Sequence, residues 1–403
     1  MPVLSIVIPI YNMSPWLAVA LESCLQQTHK ELEILVVDDG SPDNSREIAE
    51  FYALQDGRVK VLCQANAGVG AARQLGQDKA TGDFITWLDA DDVLAPQAAA
   101  LWLGAAAQHG ADMVCGNAVA FSSRTFNVRR YFPHAGAAGL RFDSAPAYWK
   151  SKVLWRWAFS LPFVRRHALR HKHYKLGQDM LFMLEALRKA ASFAQVQGDV
   201  YYFRQEHKSA HASLHTQVEH GFAHFAEARR IVLGPPYGQA GIKPLVKYLN
   251  ENYWRDIKKI APRLHNDAAH WEERIIELGF ELFDGLDGAN FRAAALAPEV
   301  KEQGDFLPFV DAMIAKDCAS VAAQLAALRA KAGQSVAPDS ARAGAATPLA
   351  GGNTVRELRH RLKATLNPRA WRTRFLLRKL EALAAARKGL PRASLDSSQL
   401  GGR

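Results

Sequence analysis

Asp83-Phe84-Ile85-Thr86-Trp87-Leu88-Asp89-Ala90-Asp91-Asp92 is the stretch that decides the fold class of this 403-residue chain. Phe84, Ile85, Trp87 and Leu88 make a short, mostly apolar run of strand-favouring residues, too short for a helix. The run stops at three carboxylates, Asp89, Asp91 and Asp92. In an open α/β sheet, ligands collect just beyond the C-terminal ends of the strands. Carboxylates there, with no Lys or Arg within several residues, suit a hard divalent cation. Mg²⁺ and Mn²⁺ take one or two carboxylates and complete their shell with phosphate oxygens of a substrate. An isolated Asp-Ala-Asp-Asp also reads as an acidic turn before the helix that begins near Pro96. The flanking sequence chooses between the two.

Upstream, Val3 to Ile10 forms a first buried strand with Tyr11-Asn12 at its end. Ser14-Pro15 then opens a helix with Leu17, Leu21, Cys24 and Leu25 on one face. Glu33 to Val37 is a second strand, ending in Asp38-Asp39-Gly40-Ser41, and Ile48, Phe51 and Tyr52 mark the next helix. Arg58 to Cys63 is a third strand, followed by the turn Asn66-Ala67-Gly68-Val69-Gly70 and a helix carrying Arg73. After the acidic run come a helix to about His109 and a strand at Asp112 to Cys115. Strand and helix alternate with short connections, which predicts a doubly wound, mostly parallel sheet. Tyr11, Asp39 and Asp89 to Asp92 thereby converge on one rim. Gly68 and Gly70 suggest a dinucleotide fingerprint. Arg73 replaces its third glycine, however, and the turn follows the third strand instead of the first.

Residues 116–214 lose this alternation. Trp149, Trp155, Trp157, Phe159 and Phe163 crowd one stretch, which reads as core or as a sugar-stacking platform. Leu176-Gly177-Gln178-Asp179 opens a helix, and Val200 to Arg204 is a strand leading into a loop with His207, Ser209, His211, Ser213 and His215. From about Val218 to Ala332 the pattern is helical, and it displays no recognisable chemistry. Gly333 to Asn353 is rich in Ala, Gly, Pro and Ser and reads as a flexible linker. The divisions expected are therefore 1–120, 121–214, 215–332, the linker 333–353 and a basic tail 354–403.

Composition is that of an ordinary folded protein, and the longest near-continuous apolar stretch, Ala98 to Ala107, falls well short of a membrane span. The first residues read as a strand and not as a signal peptide. Cys24, Cys63, Cys115 and Cys318 lack metal-ligand spacing and suit buried free thiols in a reducing cytoplasm. The net charge of +10 is localised: Thr354 to Arg403 holds 13 Lys plus Arg against 3 Asp plus Glu. The body is close to neutral, so no nucleic-acid partner is expected of it. Within 354–390, Val355, Leu358, Leu362, Leu366, Trp371 and Phe375 interleave with arginines. That pattern fits an interfacial helix on an anionic membrane, or a helical pair packed on protein.

Four blocks in order carry a family resemblance: Ile8-Pro9-Ile10-Tyr11-Asn12, Val36-Val37-Asp38-Asp39-Gly40-Ser41, Asn66 to Arg73, and Leu88 to Asp92. They resemble the donor-binding half of family 2 glycosyltransferases, which have the glycosyltransferase-A fold, closely over residues 3–120 and more loosely over 121–214. The resemblance implies a nucleotide-diphosphate sugar donor and Mn²⁺ or Mg²⁺. It places Tyr11 against the base with Asp39 accepting its hydrogen bond, Arg73 near the diphosphate and Asp89 near the ribose. Pro9, Asn66, Gly68 and Ala90 complete the donor site. Asp91 is the implied metal ligand, with Asp89 and His211 as further candidates. Asp179 resembles the acid of the family's Glu-Asp pair, the general base on an acceptor hydroxyl in an inverting transfer. Gln178 stands where Glu is usual and cannot carry its charge. Arg204 and Ser209 resemble the arginine strand and the serine loop on the acceptor side. The acceptor implied is a glycan or a lipid-linked glycan of a bacterial surface, met in the cytoplasm or at the inner membrane. The competing readings are a sugar-nucleotide nucleotidyltransferase, whose glycine- and arginine-rich opening loop this chain lacks, and a nucleic-acid binder acting through the basic tail.

Overall fold

The computed structural model describes residues 1–121, 128–131, 135–149, 151, 153–172, 174–205, 213–235, 238–264, 268–298, 300 and 304–333. Ser209, His211, most of the linker and the whole basic tail lie outside the described residues, so the readings made for them stay at the level of sequence.

The first part alternates as expected: β1 (Leu4–Ile10), α1 (Leu17–Leu25), β2 (Leu32–Asp38), α2 (Ser45–Gln55), β3 (Val59–Cys63), α3 (Val69–Lys79) and β4 (Phe84–Trp87). A two-residue β5 (Val93–Leu94) precedes α4 (Ala98–His109) and β6 (Met113–Phe121). Then come β7 (Val128–Tyr131), β8 (Ala137–Leu140), β9 (Trp157–Ser160), α5 (Leu161–Arg166), α6 (Gln178–Lys189) and β10 (Phe193–Arg204). One sheet of ten strands results, in the order β3-β2-β1-β4-β9-β6-β10-β5, with β7 on β6 and β8 on β10. Pairing is parallel from β3 through β4 and again between β6 and β10. β9 is antiparallel to both β4 and β6, so the sheet becomes mixed beyond β4. The boundary expected at 120 falls inside β6, and the two halves share one continuous sheet.

β1 is buried along its whole length, and its alternate residues feed two cores. Leu4, Ile6, Ile8 and Ile10 meet Leu17 and Leu21 of α1, Ile48 of α2 and Trp102 of α4. Val7 faces the other way with Leu35 and Val37 of β2, onto Ala72 of α3 and Leu181, Phe182 and Leu187 of α6. This period-two division between two covered faces is why the strands read as nearly continuous apolar runs. Trp149, Trp157, Phe159 and Phe163 belong to the second core, as the core reading of the aromatic stretch expects.

The same core continues into the helices beyond β10. These are α7 (Leu214–Glu219), α8 (Ala223–Leu233), α9 (Ile242–Tyr248), α10 (Trp254–Ile260), α11 (Ala268–Phe283), α12 (Gly288–Ala295), α13 (Phe306–Ile314) and α14 (Cys318–Gly333). Val218, Phe222, Phe225 and Val232 are all buried, as their spacing predicts. Among the described residues no helix is long and apolar enough to cross a membrane. Cys24 and Cys115 are buried thiols, while Cys63 and Cys318 are exposed, which corrects the expectation for those two. Cys63 ends β3, the edge strand of the sheet, and Cys318 opens α14, so neither is enclosed.

Candidate active site

β1 and β2 end level, with Ile10 opposite Asp38, while β4 stops at Trp87 opposite Val7 and the chain runs on beside β1, Leu88 N–H donating to the Val7 carbonyl at 3.0 Å. The residues just beyond them therefore share a rim. A cleft of about 730 Å³ opens there, lined by Pro9, Tyr11, Asp39, Asn66, Gly68, Arg73, Asp89, Ala90 and Asp91, with Arg204 from β10. Every donor-site residue inferred from sequence thus borders one cavity.

Tyr11 presents a ring that is 47 % exposed. The loop behind it is tied to the loop after β2: the backbone N–H of Asn12, Met13 and Ser14 donate to Ser41 Oγ, Ser45 Oγ and Asp43 Oδ2 at 3.3, 2.7 and 2.9 Å. Asp39 is buried, and its carboxylate accepts from Gln64 Nε2, Ala67 N–H and Gly68 N–H at 2.7, 2.8 and 2.9 Å. Three of its roughly four acceptor sites are therefore filled by the chain itself. Its principal task is to hold the 64–68 loop, with one lone pair left over for a ligand.

Arg73 links the two halves of the site. Its side chain is 5 % exposed, and Nη2 donates to Asp89 Oδ1 at 2.7 Å while Nη1 pairs with Asp179 Oδ1. Its Nε is buried without a partner. The guanidinium inferred to meet a diphosphate is thus engaged by both carboxylates. Burial lifts the Asp179 carboxyl above the ordinary carboxylate range, with Arg73 opposing and the charge of Asp89 adding to the rise. Asp179 is the second residue of α6 and is not its cap, so the helix N-terminus supports its charge while its side chain serves Arg73.

Gln178 does not border the cleft. It is buried, and its Oε1 lies against Gly70, where a Cβ would force the side chain aside. The neutral Gln packs against the first turn of α3, and its Oε1 is buried without a hydrogen-bond partner. Gly177, the residue before α6, has φ +84° and lies under the His224 ring, which a Cβ would approach to 2.5 Å. Gly177→Ala is expected to lose about 2 kcal/mol or more from the left-handed backbone and the clash together. Since the same turn aims Asp179, turnover should fall too, and chemical denaturation with an activity assay checks both. A variant as stable and active as wild type would show that the turn has room to adjust.

The acids of the central run divide their labour. Asp92 is buried, and both its oxygens are taken, by the Tyr201 hydroxyl at 2.8 Å and the Arg204 N–H at 2.7 Å. Burial, reinforced by Asp91 and Asp89, pushes its carboxyl well above the usual range. Asp92 is therefore a structural latch. Tyr201 also accepts the Asp89 N–H at 3.2 Å, and Arg204 donates Nε to the Asp91 carbonyl at 2.7 Å with its guanidinium over the rings of Trp16 and Phe121. Arg204, inferred as an acceptor-side residue, lines the cleft and also clamps the acidic turn. Among the described residues no group of three or more His, Cys, Asp or Glu side chains is arranged to hold a metal alone. Asp91 borders the cleft and Asp89 shares an oxygen with Arg73, leaving one or two carboxylates. That donor set suits Mg²⁺ or Mn²⁺ completed by substrate phosphates.

Sequence reasoning missed Tyr201, Val69, Lys175 and Phe203, of which the last three line the cleft. Val69 lies within the Asn66–Arg73 block, and Tyr201 and Phe203 within the Val200–Arg204 strand, without being singled out there. Lys175 alone left no trace in those readings.

Residues 5–174 match the family model described as Glycosyl transferase family 2. This segment is a family 2 glycosyltransferase domain. Two of the curated relatives similar to the chain illustrate this. The uncharacterized glycosyltransferase EpsJ of Bacillus subtilis is 31 % identical over 219 residues, which span 52 % of this chain and 62 % of EpsJ. Glycosyltransferase GlyG of Streptococcus pneumoniae is 41 % identical over 115 residues, or 28 % of this chain and 38 % of GlyG. The chain thus covers less than two thirds of either relative. The crystal structure of S. aureus TarS 1-349 in complex with UDP-GlcNAc aligns over 82 % of this chain and 91 % of that one, with a TM-score of 0.68 and 17 % identity. The shared fold extends past the glycosyltransferase domain into the helices that follow β10.

Proposed function

We propose that the chain is an inverting, metal-dependent glycosyltransferase moving a sugar from a nucleotide-diphosphate sugar to an acceptor hydroxyl. The observation that carries this reading is the Arg73 bridge, which puts a donor-side carboxylate, a cation and a candidate base within one guanidinium of each other. Tyr11 offers a face for the base. Asp39 holds the 64–68 loop in place beneath the ligand and has a lone pair to spare. Arg73, when drawn from its carboxylates, meets diphosphate oxygens. Asp179 then takes the proton of the acceptor hydroxyl as it attacks the anomeric carbon. Asp91, aided by Asp89, would hold Mg²⁺ or Mn²⁺, which when bound neutralises charge on the departing diphosphate.

TarS was crystallised with UDP-GlcNAc and with UDP, which makes uridine donors the first to try. The bacterial origin of the relatives supports an acceptor among bacterial surface glycans or their lipid-linked precursors. Nucleoside-diphosphate release across a panel of sugar nucleotides, with Mn²⁺ or Mg²⁺ and then with chelator, tests the reading. Asp91→Ala is expected to lose the metal-dependent part of nucleoside-diphosphate affinity in calorimetry without unfolding. Equal affinities in wild type and variant, both with Mn²⁺, would remove Asp91 from the metal site.

A further inference from the structure

Six large apolar side chains stand out as exposed among the described residues, and three of them, Tyr11, Val69 and Phe203, line the same cleft. They form two walls. Tyr11 follows β1 and Val69 opens α3, on the side of the cleft formed by the parallel strands. Phe203 lies on β10, across the acidic turn that runs from β4 to β5, where Val93 pairs with Tyr202. Nucleotide binding at Tyr11, as proposed above, accounts for the first wall and leaves the second unexplained.

Phe203 is held by a rigid support. It shares a strand face with Tyr201, and Trp155 lies across both rings, at 4.2 Å and 23° from Tyr201 and at 6.0 Å and 10° from Phe203. Tyr201 is fixed in turn by Asp92. Phe203, a flat and pre-oriented ring, is thus kept 37 % exposed beside the acids. The electron-rich face of such a ring attracts the slightly positive C–H groups on one face of a pyranose. Asp39, Asp89, Asp91 and Asp92 line the cleft between the walls and make it a poor channel for an acyl chain.

The geometry points to Phe203, backed by Trp155, as the platform for the acceptor, and to an acceptor whose reacting unit is a pyranose. This inference rests on the glycosyltransferase reading. Its test uses the full chain, the sugar nucleotide that wild type consumes fastest, and a panel of p-nitrophenyl pyranosides. Phe203→Leu, which keeps apolar bulk and loses the flat face, should raise the pyranoside KM by about 3- to 10-fold. That rise should exceed any change in the donor KM at least threefold, and Phe203→Tyr should restore it. Equal shifts in the two KM values, or none, overturn the platform. So does a wild type that consumes donor and transfers to no pyranoside. A wild type that consumes no sugar nucleotide overturns the reading beneath it, so the two failures are told apart.

Discussion

Asp179→Asn should lower transfer by about 10²–10⁴-fold, the range for loss of a general base, while nucleoside-diphosphate affinity persists. The amide copies the carboxylate's shape, and its oxygen can still accept from Arg73, so the junction between α3 and α6 should survive. What it cannot do is take a proton. Burial raises the basicity of Asp179 above that of an ordinary carboxylate, in the direction a base needs. Steady-state turnover beside calorimetric nucleotide binding separates the two effects. Turnover within threefold of wild type would reassign the role.

Arg73→Met is expected to destabilise the domain by about 3–5 kcal/mol, because it strips a buried cation from two carboxylates that then face each other uncompensated. The loss should depend on pH. Asp179 already has a raised pKa, and without Arg73 it rises further. An acid with a raised folded pKa costs nothing below its unfolded value near 3.9, and the cost grows as pH rises through the folded value. The gap between variant and wild type should therefore be widest at neutral pH and shrink towards pH 4.5. Urea midpoints at both pH values measure it. A gap that stays constant would mean lost packing and not lost charge.

The parallel part of the fold was legible because its strands announce themselves locally. Leu-Ser-Ile-Val-Ile and Leu-Glu-Ile-Leu-Val-Val are buried on both faces, and each leads to polar residues at the rim. Beyond β4 the local signal fades. β10 begins at Phe193, yet Gln195, Gln197, Gly198 and Asp199 hide its first half, and only Val200 to Arg204 reads as strand. β6 runs on to Phe121 past Gly116 and Asn117, where the sequence suggests a stop. These segments are strands because of the neighbours they find across the sheet, a tertiary effect that propensity does not encode. The site divides the same way. Tyr11, Asp39, Arg73 and Asp89 sit in recognisable blocks, and the structure gathers them as expected. Asp92 and Arg204 also have partners remote in sequence, which fasten the acidic turn to β10 and which the blocks do not display.

The latch on the acidic turn also bears on how the chain acquires its cleft. Asp92 is fastened to Tyr201 and Arg204 across 109 and 112 residues, and Arg73 reaches Asp179 across 106. Closing loops of that length is slow, and nearer contacts form first. A nascent chain leaving the ribosome holds its acids long before it holds the strand that fastens them. Until residue 204 has emerged, the acidic turn has neither Tyr201 nor Arg204 to fix it.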